Sequence, residues 1–337
     1  MPREFTCSNP GVSVLLPVYN SASYLRESIE SILNQSFKEF ELLIICEPCT
    51  DGSIEIIKSY KDSRIIHIQN EKRLGLANSL NKGIELARGE YIARMDADDV
   101  SLPERFAAQV MFMEKCPEIG ICGTWMVSIG KHSGKSWKPP IDDATMRCQL
   151  LFNSPLGHPA VMMRRSLFTD LNLQYPAYAH AEDYALWVQA SRYTTFANIP
   201  EILLSYRHHD GQVSKGYRKE QIICNDRVHR DLLERLGMHP TEEEIELHSA
   251  LGEVRFLHDR KFIARANDWL MRLDLANQRS KTYQEPNFSR VLSERRFWRF
   301  PLKMPLMASV QLAILTLCPP RVYTALRKLW RVTHPHG

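Results

Sequence analysis

Three carboxylates within four residues, Asp96-Ala97-Asp98-Asp99, are the strongest chemical signal in this chain. They follow a short apolar run, Tyr91 to Met95, that reads as a strand. Acids at the carboxyl end of a strand have no packing role, because a buried carboxylate needs a partner. A hard divalent cation that in turn holds a diphosphate would supply one. Taken alone, the same acids also suit a solvated turn capping the next helix. A second pair, Glu182-Asp183, opens a helical run at Ala181 to Trp187, where negative charge favours the helix dipole. Cys46-x-x-Cys49 has the spacing of a metal or redox pair. Pro48 lies inside it, and neither a second CxxC nor a close histidine accompanies it, so a structural role is expected.

The elements that must position these residues alternate. Val12 to Pro17 is an uncharged apolar run, the pattern of a strand buried on both faces. Leu25, Ile29 and Ile32 recur at helical spacing. Phe40 to Cys46 is a second buried strand, and the turn-rich stretch 47–53 can cap a helix from Ile54 to Tyr60. A third strand, Arg64 to Ile68, precedes a helix with Leu76, Leu80, Gly83 and Ala87 on one face, closed by Gly89. This β-α-β-α-β-α-β order predicts an α/β fold with a doubly wound, mostly parallel sheet. Ligands bind such sheets beyond the carboxyl ends of the strands. The polar punctuation falls there each time: Tyr19-Asn20, Glu47, Asn70 with Arg73, and Asp96 to Asp99. These four loops can converge on one cleft. Neither GxGxxG nor GxxxxGK[ST] is present, so a metal held by aspartates would replace the glycine cradle for phosphate.

After Leu102 a helix is expected to Lys115, a strand over Ile119 to Val127, a basic loop over Lys131 to Pro140, and a helix over Thr145 to Phe152. Another strand follows Gly157, and 203–215 is rich in polar and aromatic residues. From about Lys219 the strands stop and helical periodicity takes over. Two domains are therefore expected: 1–218, with a nucleotide half at about 11–100 and an acceptor half at about 101–218, and a helical C-terminal extension at 219–337.

The 337 residues carry a net charge of +4, which points to no nucleic-acid partner. The charge is uneven: from Arg290 onward nine Lys/Arg face one acid, and the rest of the chain is mildly acidic. Such asymmetry suits an anionic surface. The 13-residue apolar stretch Leu306 to Cys318 falls short of the ~20 residues needed to span a bilayer. A core helix and a membrane-surface helix both fit it. Eight scattered cysteines and an N-terminus without an apolar signal core imply a cytoplasmic protein with reduced thiols, in peripheral contact with the inner face of the plasma membrane if the tail binds there.

With these residues in view, the chain resembles the inverting family-2 glycosyltransferases of the GT-A fold, of the bacterial cell-surface polysaccharide type. The resemblance covers about residues 11–215. It rests on Val12 to Asn20, Thr50-Asp51-Gly52-Ser53, the stretch from Asn78 to Asp99 with its DxD, Ala181 to Trp187 with its ED pair, and Tyr206 to Ser214. The loop Cys46-Glu47-Pro48-Cys49 departs from the family's usual Asp-Asp-Gly-Ser.

The resemblance implies a role for each matching residue. Pro17, Val18 and Tyr19 would pack on the nucleotide base, and Glu47 would accept from its imide. Arg73 would lie near the base or diphosphate, and Asn78 and Asn81 would face the nucleoside. Asp96 would lie toward the ribose and near the metal, with Asp98 and His209 as metal ligands and His208 as the competitor of His209. Asp183 would be the catalytic base and Glu182 an acceptor contact. The implied cofactor is Mn2+ or Mg2+. The implied partners are a nucleotide-sugar donor, with UDP as the expected carrier, and a glycan or lipid-linked acceptor. Two other classes stay open. A nucleotidyltransferase would release pyrophosphate and would not need Glu182-Asp183, and a non-catalytic sugar-binding module would tolerate loss of Asp183.

Overall fold

Mostly apolar residues form β1 (Val12–Val18) and β2 (Phe40–Cys46), and both strands are buried almost throughout, the buried Glu41 of β2 being paired with Ser13 and Arg88. A computed structural model describes residues 10–210, 216–253 and 260–297. β1 and β2 pair in parallel, from Val12 opposite Phe40 to Val18 opposite Cys46. β3 (Ile65–Gln69) continues the parallel sheet beyond β2, and β4 (Tyr91–Arg94) continues it beyond β1. The crossovers are α1 (Ala22–Leu33), α2 (Ser53–Ser59) and α3 (Leu76–Leu86). α1 buries Leu25, Ile29 and Ile32, the residues whose spacing marks its apolar face.

Beyond β4 the sheet turns mixed. β8 (Met162–Arg164) runs antiparallel to β4 and to β6 (Ile119–Gly130). β9 (Thr195–His208) is parallel to β6, and the short β5 (Val100–Ser101) lies antiparallel along β9. The sheet order is β3-β2-β1-β4-β8-β6-β9-β5, with β7 (Ser136–Trp137) paired to β6. α4 (Arg105–Lys115), α5 (Asp143–Leu150), α6 (Ser166–Thr169) and α7 (Glu182–Ala190) complete this part.

Two details differ from the reading of the sequence. β9 is a 14-residue strand where only a polar segment from 203 was expected. Its pairing with β6 jumps from Ile199 to Ile202, so Pro200-Glu201 bulges out and breaks the period-two pattern that reveals a strand. Gly89 does not close α3, which stops at Leu86 with Ala87 as its cap. A Cβ on Gly89 would stand 2.5 Å from the Ser13 backbone nitrogen, so this glycine serves the close approach of β4's entry to β1.

The chain divides into two compact units. One holds the sheet and runs to Met146 and over Ser154–Val228. The other comprises Arg147–Asn153 and the helices from His229 onward. This helical unit begins with the end of α8 (Arg218–Arg235), from His229 on, and continues with α9 (Glu242–Gly252), α10 (Arg260–Ser280) and α11 (Asn287–Phe297). Thr241 and Glu244 close a capping box at the start of α9, as the proline and acids there predict. Inside the unit, the His248 ring accepts from Trp269 Nε1 (3.1 Å) and its Nε2 donates to the Leu151 carbonyl (2.7 Å). His229 contacts Ser249 Oγ (2.9 Å) and the Phe152 carbonyl (3.1 Å). Among the described residues no helix is long and apolar enough to cross a membrane. The apolar stretch 306–318 and the basic tail around it lie outside the described residues.

Candidate active site

The site lies where four strand ends meet, as the alternation predicts. A cavity of about 710 Å³ opens there in the sheet-bearing unit. Pro17, Val18 and Tyr19 from the end of β1 line it, with Glu47 from the end of β2, Arg73, Asp96, Asp98 and His209. The Arg73 guanidinium sits 4.3 Å over the Tyr19 ring, which makes a flat, half-exposed platform at the cavity wall.

Glu47 is buried and fully engaged. Its oxygens accept from the Leu74 amide (2.8 Å), the Gly75 amide (3.2 Å) and the Ser79 hydroxyl (2.6 Å). The side chain therefore holds the loop that carries Arg73. Asp51 acts similarly at the next turn, accepting from Ser53 at the start of α2 and from the Ala22 amide (2.9 Å) at the start of α1. Asn78 and Asn81 are not among the cavity residues. Asn78 donates to the Leu74 carbonyl (2.9 Å). Asn81 exchanges two bonds with the Tyr175 backbone (2.8 and 2.9 Å), so it fixes the irregular segment that leads to Glu182.

The three acids after β4 separate by partner. Asp96 forms an ion pair with Arg94 at 2.5 Å. Asp98 Oδ2 lies 2.8 Å from His209 Nε2. Asp99 Oδ1 accepts from the Arg207 amide (2.8 Å), while its Oδ2 is buried with no hydrogen-bond partner. One oxygen from each acid lies within 4.8 Å of the others. Burial, then the neighbouring Asp96 charge, raises the carboxyl of Asp98, and the same causes raise that of Asp99 strongly. An acid cluster with an orphaned buried oxygen, its carboxyls raised first by burial and then by the Asp96 charge, can take up further positive charge. An all-oxygen set with one imidazole suits Mg2+ or Mn2+, so these residues fit a divalent cation. His208 faces elsewhere: its Nε2 meets Ser128 Oγ at 3.1 Å, and its ring packs edge-on to Tyr206.

Glu182 and Asp183 occupy the first turn of α7. Burial and then Asp183 push the Glu182 carboxyl up to about 7. Burial also raises Asp183. Both carboxyls feel the charges of Arg94 and Asp96, so the pair and the DxD, far apart in sequence, share one electrostatic neighbourhood. Arg94 is the buried cation common to them, and it also acts on Asp99.

Some site residues escape the reading of the sequence. Arg94 carried a signal, an arginine within a buried strand directly before the acids. Arg207 donates to the Asp98 carbonyl (2.7 Å) and to Glu27 (2.6 Å), tying the acidic turn to β9 and α1. Tyr24 lies 4.9 Å from the His209 ring, and His180 stacks on Tyr217 at the cavity wall. None of these contacts has a local pattern.

Comparison with known proteins agrees with this geometry. The family model described as Glycosyl transferase family 2 matches residues 13–171. An uncharacterized glycosyltransferase of Haemophilus influenzae is 34% identical over 235 residues, covering 66% of this chain and 73% of the relative. The amylovoran biosynthesis glycosyltransferase AmsE of Erwinia amylovora is 28% identical over 209 residues, 60% of this chain and 78% of its own. Among solved structures, S. aureus TarS 1–349 in complex with UDP-GlcNAc superposes with a TM-score of 0.56 at 16% identity, covering 86% of this chain and 93% of that one. The mannosyltransferase PcManGT of Pyrobaculum calidifontis, in complex with GDP-Man and Mn2+, gives 0.50 at 18% identity over 95% and 84% of the two chains. These structures share the fold, a GT-A arrangement of mixed α/β type with helices at its C-terminal end. Motifs, site geometry and relatives together place the chain in glycosyltransferase family 2.

Proposed function

We propose that this enzyme transfers a sugar, with inversion and metal dependence, from a nucleotide-diphosphate sugar to a hydroxyl of a glycan or lipid-linked glycan in cell-surface polysaccharide synthesis. The observation that carries this reading is the acidic trio, of which Asp96 and Asp98 line the cavity and Asp99 lies buried behind them with an orphaned oxygen, together with the electrostatic neighbourhood that Asp96 shares with Glu182-Asp183. The base lies against Pro17, Val18 and Tyr19, beside Arg73. UDP is the carrier, in keeping with the UDP-sugar bound by TarS.

Asp98, Asp96 and His209 would hold Mn2+ or Mg2+, as suits the Mn2+ complex of PcManGT. Such a cation would supply positive charge against the departing diphosphate. Asp183 accepts the proton of the acceptor hydroxyl. The acceptor oxygen bonds to the anomeric carbon as that carbon's bond to the phosphate oxygen breaks, and the nucleoside diphosphate leaves from the opposite face. Burial raises the Asp183 carboxyl, which makes it a better base than a free aspartate. Glu182 contacts the acceptor. Asn81 supports this end of the site by fixing Tyr175, and Asn78 belongs to the helix beside the nucleoside.

A donor screen by nucleoside-diphosphate release, with and without Mn2+ or Mg2+, tests the proposal. Release from a UDP-sugar that stops on chelation is expected, and Asp98→Ala should remove metal-dependent UDP binding. Release of pyrophosphate instead would mean nucleotidyl transfer.

A further inference from the structure

The C-x-x-C loop is unusual for where it sits. Cys46 is the last residue of β2 and is buried, while Cys49 is partly exposed. Their sulfurs lie 3.6 Å apart as free thiols. Glu47, which holds the Arg73 loop, lies between them. The Cys49 sulfur also accepts from the Asn20 amide at 3.4 Å, and Asn20 Oδ1 accepts from the Thr50 amide at 2.9 Å. Asn20 has φ 49° and lines the cavity next to Tyr19. Both walls of the nucleotide end therefore meet at these two sulfurs.

We propose that Cys46 and Cys49 form a dithiol that small-molecule disulfides close, and that closing it weakens nucleotide binding. The geometry fits thiol–disulfide exchange. The partly exposed Cys49 thiolate attacks a sulfur of glutathione disulfide, forming a mixed disulfide and releasing one glutathione thiolate. Cys46 then loses its proton and attacks the Cys49 sulfur, expelling the second glutathione. In sum, two protein thiols and one glutathione disulfide become one protein disulfide and two glutathione thiols. Burial and the neighbouring Cys49 push the Cys46 thiol up to about 12, so the partly exposed Cys49 makes the first attack, and the 3.6 Å contact between the sulfurs is what lets Cys46 resolve the mixed disulfide. Drawing the sulfurs to the bonded length of about 2 Å takes Cys49 away from the Asn20 amide and moves the Glu47 backbone. Tyr19 and Arg73 then lose their common support.

The proposal rests on the donor-site reading for its functional half, and the test separates the two. The full chain is equilibrated with glutathione disulfide, mapped by peptide mass spectrometry, and titrated calorimetrically with UDP and Mn2+ before and after. Expected is a 46–49 cross-linked peptide about 2 Da lighter than the dithiol. UDP affinity should fall about tenfold and recover with dithiothreitol. Cys49→Ser should give no cross-linked peptide, and its UDP affinity should be the same before and after the oxidant. A glutathione adduct that stays on Cys49 without the cross-link overturns the dithiol, and a cross-link with unchanged UDP affinity overturns the switch. Failure of the reduced protein to bind UDP overturns the donor-site reading, while the peptide map still decides whether the thiols close.

Discussion

At the scale of single residues, the site is a problem of excess negative charge. The Asp96 charge acts on Asp98, Asp99, Glu182 and Asp183, and Arg94 is the buried cation shared by Asp96, Asp99, Glu182 and Asp183. Arg94 is 3% exposed and pairs directly with Asp96. Arg94→Met would leave that acid without its partner, and breaking a buried pair costs about 3 kcal/mol. Urea unfolding should show this loss, and an unchanged midpoint would mean that the acids do not depend on Arg94. Asp183→Asn keeps the shape of the carboxyl and removes the base. Its turnover should drop about 1,000-fold with UDP affinity nearly intact. Full turnover in that variant would take the role of base away from Asp183. Asp96, Asp98 and Asp99 stood out in the sequence because acids placed after a buried strand break the packing pattern, whereas His209 was named only through the family resemblance. Arg207 and the bonds of Asn81 to Tyr175 were not legible, because the partners, the Asp98 carbonyl and the Tyr175 backbone, are distant in the chain.

At the scale of elements, the helical unit is pinned by imidazoles. The neighbours of His248 require the neutral ring, since Nδ1 accepts from Trp269. Burial holds His248 well below the usual histidine range and lowers His229 from 6.5 to about 4. A histidine with a depressed folded value binds its proton more readily once unfolded. Its contribution is therefore present above pH 6.5 and is lost as the pH falls through about 4. Hydrogen-exchange protection factors in α9 and α10, taken relative to the intrinsic exchange rate at each pH, should fall between pH 6.5 and 4, and His229→Asn should flatten that dependence. An equal fall in wild type and variant would show that His229 plays no part. The capping box of α9 was readable from Pro240-Thr-Glu-Glu-Glu, whereas the β9 strand was hidden by the bulge at Pro200-Glu201.

At the scale of the whole molecule, charge divides the chain. The body is mildly acidic, and the segment after Arg290 is strongly basic. A tail of this kind is drawn to anionic lipid within a Debye length of the surface. Deleting residues 301–337 is expected to release the protein from anionic liposomes while circular dichroism and UDP binding stay unchanged. If the full-length protein does not sediment with such liposomes, the tail has another purpose.

Local order was enough to give the alternating strands and helices, the four polar loops at the strand ends and the identity of the acids. Apolar periodicity and turn residues act over a few positions, and the chain displays them directly. The mixed sheet beyond β4, the capture of Asn81 by Tyr175, the full engagement of Glu47 and the contact between the Cys46 and Cys49 sulfurs arose from packing. Each depends on which distant backbone atom fills a vacant hydrogen bond or van der Waals gap, and that is settled only when the layers close.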